Sequence, residues 1–237
     1  MKKYKILLGL TTTAKSNWRE KVEECKKLNI QEIALFPTML GLKERRELYE
    51  LLENSPVKRI PHVHLKTDMG KDEADYLVKK FRTKVFNIHP MLDAHKFTGD
   101  LGEHKPNIYV ENTNVIPEDK ELEKYGGLCI DFSHWQDMIR NDEKEVCEKM
   151  EKAIKKFPVG CSHISAIGSK IRRVHDEKFL NIFRDIYSKH TFEDLSEFDY
   201  IKDLKEYLPE LISLELENSF EEQLKVKKYL ENIISKN

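Results

Sequence analysis

Short apolar runs alternate with charged amphipathic stretches along the whole chain, and that alternation leaves few folds open. The runs are Lys5–Leu10, Glu32–Phe36, Val57–Leu65, Val85–Pro90, Asn107–Glu111, Leu128–Ser133, Val159–Ile164 and Leu211–Leu216. Each has the length of a strand covered on both faces rather than of a buried helix. Between them the periodicity predicts helices: one ending near Leu28 and capped by Ser16 or Asn17, then Leu42–Glu53, Asp72–Arg82, Glu118–Lys124 and Gln136–Phe157. Asp176–Ser188, a further piece at Tyr200–Tyr207, and Phe220–Ser235 complete the predicted set. Met91–Pro106 carries Gly99 and Gly102 and reads as a loop, so the fourth helix is reduced. Strand followed by helix, repeated, is the pattern of an α/β protein with a parallel sheet. The expectation is a (β/α)8 TIM barrel that spans residues 1–237 as one domain.

Lys plus Arg number 41 and Asp plus Glu 42, a net charge of -1, which excludes a global basic excess drawing in nucleic acid. No run approaches the roughly 18 apolar residues of a membrane span. Met1-Lys2-Lys3-Tyr4 leads straight into a strand with no secretory pattern, so the expected location is the cytoplasm, away from any membrane. Cys25, Cys129, Cys147 and Cys161 show no CxxC spacing and read as reduced thiols.

In such a barrel, chemistry collects at the C-terminal ends of the strands. Those ends carry His62 and His64, His89, Glu111, Asp131 with His134 just beyond, His163, and Glu215 with Glu217; His175 follows in the next predicted loop. Six of the nine histidines therefore gather at one rim or above it. Imidazole nitrogen mixed with carboxylate oxygen suits zinc, manganese or iron better than calcium. Glu111, Asp131, His163 and Glu215 can surround one ion, and His62 and His89 a second, with Glu111 bridging. Two ions sharing a carboxylate suit displacement at a phosphoester; a single ion holding adjacent oxygens suits proton shuttling on a sugar. His64 shares the face of His62 and is a candidate supporting or substrate-binding residue; Glu217 shares the face of Glu215, a candidate substrate contact that also leaves the strand-eight ligand open between the two glutamates. Lys170, Arg172 and Arg173 form the tight basic cluster beside the site, a candidate contact for a phosphorylated substrate.

Ile60-Pro61-His62, Asn87-Ile88-His89-Pro90, Val110-Glu111-Asn112-Thr113, Cys129-Ile130-Asp131-Phe132-Ser133-His134, His163-Ile164-Ser165 and Leu214-Glu215 together resemble the motifs of the xylose isomerase-like barrels, and within them the endonuclease IV branch (AP endonuclease family 2). The resemblance implies one zinc held by His62, His89 and Glu111, and a second by Glu111, Asp131, His163 and Glu215. It implies a third on His134 with an Asp-x-His after strand seven. Here Arg173 stands where that Asp belongs ahead of His175, and Leu65 falls where the branch places a DNA-inserting tyrosine.

The expected activity is that of a divalent-metal-dependent phosphoester hydrolase with two or more ions, zinc first and manganese second. Glu111, Asp131 and Glu215 stand at its catalytic centre, with a metal-bound hydroxide as nucleophile and abasic DNA as one possible substrate. Net charge and Leu65 both weigh against tight duplex binding. The alternative is a sugar or sugar-phosphate isomerase or epimerase in which Glu111 and Glu215 move the proton. A second alternative is a barrel that binds a metal or ligand without catalysis.

Overall fold

A computed structural model describes residues 3–176 and 182–235, apart from the side chains of 174–176, 182 and 183. The chain opens with β1 (Lys5–Leu7) and β2 (Gly9–Thr11), then α1 (Trp18–Lys27), β3 (Glu32–Phe36), α2 (Leu42–Glu53), β4 (Arg59–His64) and α3 (Lys71–Phe81). It continues through β5 (Val85–Ile88), β6 (Ile108–Glu111), α4 (Asp119–Leu122), β7 (Gly127–Asp131), α5 (Phe132–Arg140), α6 (Lys144–Lys156) and β8 (Val159–Ile164). The last part holds β9 (Ala166–Asp176), β10 (Ile182–Lys189), α7 (Ile201–Leu204), β11 (Leu211–Leu214) and α8 (Phe220–Ser235). Between β5 and β6 the described chain forms only a 3₁₀ turn, Gly102–Asn107.

Nine strands pair in the order β1-β11-β8-β7-β6-β5-β4-β3-β2, all parallel. The two end strands of that sheet, β1 and β2, are separated in sequence by Leu8 alone, so the sheet curls until it nearly closes. At the seam the backbone of Gly9 runs against β11, where a Cβ would lie 1.8 Å from the Leu214 carbonyl oxygen. Glycine is required there by space. Gln223 of α8, fully buried, serves the same glycine: its Oε1 accepts from the Gly9 N–H (2.8 Å) and its Nε2 donates to the Gly9 carbonyl (2.9 Å).

Alternation along each strand divides the core. Ile33 and Leu35 join the large apolar layer between sheet and helices, while Ala34 and Phe36 form a separate cluster with Leu7. The Phe36 ring meets the rings of His62, His64 and His163, which places those three imidazoles on the same inner side. Outside the sheet, the Arg45 guanidinium is fully buried and engages Glu73, Asp68 and the Leu40 carbonyl, tying α2 to α3.

Three expectations change. The strand predicted to run to Ser133 ends at Asp131, whose side chain caps α5 instead. The helix predicted over Gln136–Phe157 is two, broken at Asn141 and Asp142, the latter at φ 56. Of the helix predicted over Asp176–Ser188, residues 177–181 lie outside the described residues, Asp176 ends β9, and the remainder falls in β10, paired antiparallel with β9, Arg173 opposite Asp185 and Arg172 opposite Ile186. Residues 182–187 include β-branched Ile182 and Ile186 and aromatic Phe183 and Tyr187, and pairing with the preceding strand prevails over local helical periodicity. Among the described residues no helix is long and apolar enough to cross a membrane.

Candidate metal centre

Asp131 shows how the rim is built. As the N-cap of α5 it uses Oδ1 to accept from the N–H groups of Ser133 (2.8 Å) and His134 (3.0 Å) and from the Ser133 hydroxyl (2.6 Å). Its other oxygen, Oδ2, is left facing two imidazoles, His163 Nδ1 and His134 Nε2, each at 3.9 Å. The strand supplies the position and the helix N-terminus fixes the rotamer.

His163, fully buried on β8, is the meeting point. Its Nδ1 lies 3.5 Å from Glu111 Oε2 and 3.6 Å from Glu215 Oε2, as well as facing Asp131. Burial opposes its protonation, yet the Glu111, Glu215 and Asp131 carboxylates outweigh burial and hold its pKa up to about 10. Glu111, on β6 and 2% exposed, would be raised by burial alone, but His163 and His64 keep it well below the ordinary carboxylate range. Three carboxylates and a histidine thus converge on one small volume.

A second group adjoins the first through Glu111. The same Oε2 lies 3.0 Å from His64 Nε2, and His64 stacks edge-on against His89, ring centroids 4.8 Å apart. Donor atoms of His64, His89 and Glu111 lie within 4.8 Å of one another, as do those of Glu111, Asp131 and His163. Burial pushes the His64 imidazole down, toward the neutral form that ligates metals. His89 Nδ1 faces Asp93 Oδ1 at 3.3 Å, and Asp93 is further held by the Thr113 hydroxyl (2.7 Å) and the His95 N–H (2.7 Å). Burial opposes both shifts, but the pair raises the His89 pKa and lowers that of Asp93 to about 2.

The expectation for β4 therefore shifts by two residues. His62, expected beside His89 and Glu111, falls instead in a separate group with Cys129 and His163 that could itself hold an ion, and His64, expected in a supporting or substrate-binding role, stands beside His89 and Glu111. His62 has both ring nitrogens engaged, Nδ1 with Ser213 Oγ (2.7 Å) and Nε2 with Asn87 Oδ1 (3.0 Å). It also approaches Cys129 and His163, two residues behind Asp131 and two ahead of Ser165 on their strands. The two residues 62 and 64 share a face, and alternation does not distinguish one layer from the next.

The remaining candidates scatter. Glu215 belongs to the His163 group, whereas Glu217 accepts from the Thr13 hydroxyl (3.0 Å). Lys170, Arg172 and Arg173 are exposed on β9; Arg172 donates to the Ser188 carbonyl (2.7 Å), and Arg173 lies 3.7 Å from Asp185. They belong to the hairpin, not to the loop expected at the rim. The side chain of His175 lies outside the described residues. Asn87, Asp93 and Thr113 escaped the sequence reading, although Asn87 sits two residues before His89 on one strand face and Asp93 four after it.

A cation fits these residues. His163 Nδ1 and Nε2, His64 Nδ1 and His134 Nδ1 are buried with no hydrogen-bond partner among the described residues. Unmatched polar groups in such numbers are costly, and they surround ionised carboxylates. The grouped imidazole and carboxylate donors are a set that could hold a metal ion. No protein-family model matches the chain, and no curated protein matches it.

Proposed function

We propose that this chain is a divalent-metal-dependent hydrolase of phosphoesters, built on a (β/α)8 barrel in which β1 and β2 count as one strand. The observation that carries the reading is Glu111 Oε2, shared between the His64–His89 pair and the Asp131–His163–Glu215 set. In this reading Glu111, Asp131, His163 and Glu215 would hold one ion, and His64, His89 and Glu111 another. Such ions, when bound, supply Lewis acidity to both oxygens of an in-line displacement. Glu111 fixes the spacing between the two groups. Asp131 is held by α5, so its free oxygen keeps one direction. His134, partly exposed at the first turn of α5, stands where a proton can be passed to or from a substrate oxygen. Zinc is the first expectation and manganese the second; the substrate class extends from small phosphoesters to abasic DNA.

Metal analysis of protein purified without chelator tests this. Two equivalents per chain, falling to one in His64→Ala, together with turnover of bis(p-nitrophenyl) phosphate, is the expected outcome. A single equivalent that survives in His64→Ala, with aldose–ketose interconversion, would replace it by the one-metal isomerase reading. That second reading draws on the three carboxylates around His163, which suffice for one ion alone. Full coordination by protein with neither turnover would leave the binding role.

A further inference from the structure

Four polar side chains from four strands cross the barrel interior in a line. Ser213 on β11, His62 on β4, Asn87 on β5 and Glu111 on β6 are all buried, the first three completely. The Asn87 amide nitrogen donates to Glu111 Oε2 at 2.6 Å, and the Asn87 Oδ1 faces His62 Nε2 at 3.0 Å. Ser213 Oγ faces His62 Nδ1 at 2.7 Å.

The donor directions in this line follow from the chemistry of its end. The Asn87 NH₂ is the group that faces Glu111, whose oxygen accepts from it. The amide oxygen is then turned to His62, and an oxygen can only accept. His62 Nε2 must therefore carry a hydrogen. The Ser213 hydroxyl is free to suit Nδ1.

We propose that His62 and Asn87 are positioning residues that hold the shared carboxylate, and that His62 is not itself a ligand; this rests on the two-ion reading of Glu111. Glu111 Oε2 takes hydrogen bonds or close contacts from Asn87, His64 and His163 at once, and only Asn87 among these is neither charged nor a candidate ligand. The relay holds that oxygen in place. Its far end matters equally: Ser213 lies on β11 two residues before Glu215, which directly follows that strand, so the line connects the strand of one candidate carboxylate to the strand that leads into the other. Partners in this outer position typically change metal affinity by about 10- to 100-fold when removed.

The test has two parts. In the unmutated full chain, freed of metal, long-range ¹H–¹⁵N correlation of the His62 ring is expected to show a hydrogen on Nε2; a ring protonated on Nδ1 alone overturns the relay. In the second part, zinc is titrated into His62→Gln and Asn87→Ser against a chromogenic chelator. Both variants are expected to reach the same number of equivalents as the parent at saturation, with affinity weaker by about 10- to 100-fold. The double variant should be no weaker than the worse single one, since both act through Glu111. Loss of a whole equivalent in His62→Gln, with Asn87→Ser unchanged, would make His62 a ligand and overturn the proposal. Should the parent hold no zinc, the hydrolase reading falls, and the ring measurement still decides the relay; should a variant fail to fold, the same measurement stands without it.

Discussion

Asp93 does for His89 what the interior relay does for Glu111. With a carboxylate at 3.3 Å, Nδ1 is held as the N–H and the lone pair belongs to Nε2. Asp93→Ala is expected to weaken zinc at one of two sites by about 10- to 100-fold and leave the other unchanged, read by competition with a chelator. Equal affinity at both sites would sink that role. At this scale the sequence was informative about residue type and blind to layer. His89, Glu111, Asp131, His163 and Glu215 were all legible as strand-end donors, because each closes an apolar run. The choice between His62 and His64 was not, because it depends on how far each strand is staggered against its neighbour, and stagger comes from the whole sheet. Asp93 was hidden for another reason: it falls in the segment Met91–Pro106, whose composition announces only a loop.

Among the elements, α5 does two tasks at opposite ends. Its first turn carries Asp131 and His134, and its last turns hold the β9–β10 hairpin. The buried Asp137 carboxylate accepts from the Tyr187 N–H (2.9 Å), the Ser188 N–H (3.1 Å) and the Ser188 hydroxyl (2.6 Å). Arg140 adds a bond to the Gly168 carbonyl (3.0 Å) and packs its guanidinium over the Tyr187 ring. Asp137→Ala would leave three donors unmet and is expected to cost about 3 kcal/mol of stability in urea unfolding. Asp137→Asn, which keeps an acceptor oxygen, should cost less. Metal content should stay at the parent value in both, since neither Asp131 oxygen is touched. The hairpin was missed because β9 and β10 interrupt their apolar residues with charged ones and do not read as apolar runs, whereas β3, β5 and β8 were legible from their own apolar content. The break in the long helix at Asn141 and Asp142 had a signal in residue type, Asn and Asp being tolerant of left-handed backbone, as Asp142 is.

On the scale of the whole molecule, the candidate ligands come from six strands, β4 to β8 and β11, so an ion there would cross-link most of the sheet. Zinc at about 100 times its dissociation constant is expected to add roughly 2.7 kcal/mol, seen as a higher melting temperature than in chelator. An unchanged melting temperature would count against any site in this cluster. The seam between β2 and β11 is the complementary weak line. Gly9→Ala places a methyl group inside contact distance of the Leu214 carbonyl and should cost about 3 kcal/mol or more, or prevent soluble folding. Gln223→Ala, which deprives the buried Gly9 N–H of its acceptor, should cost about 2 kcal/mol.

The Gln223 bonds also set an order of events during synthesis. β2 can pair with β3 along one edge once both are made, but its N–H at Gly9 has no acceptor within the protein until a side chain 214 positions later arrives. The nascent chain must therefore carry an unsealed sheet edge until α8 is made. A pause before α8 would prolong that exposed state, and chaperone contact is expected to concentrate there.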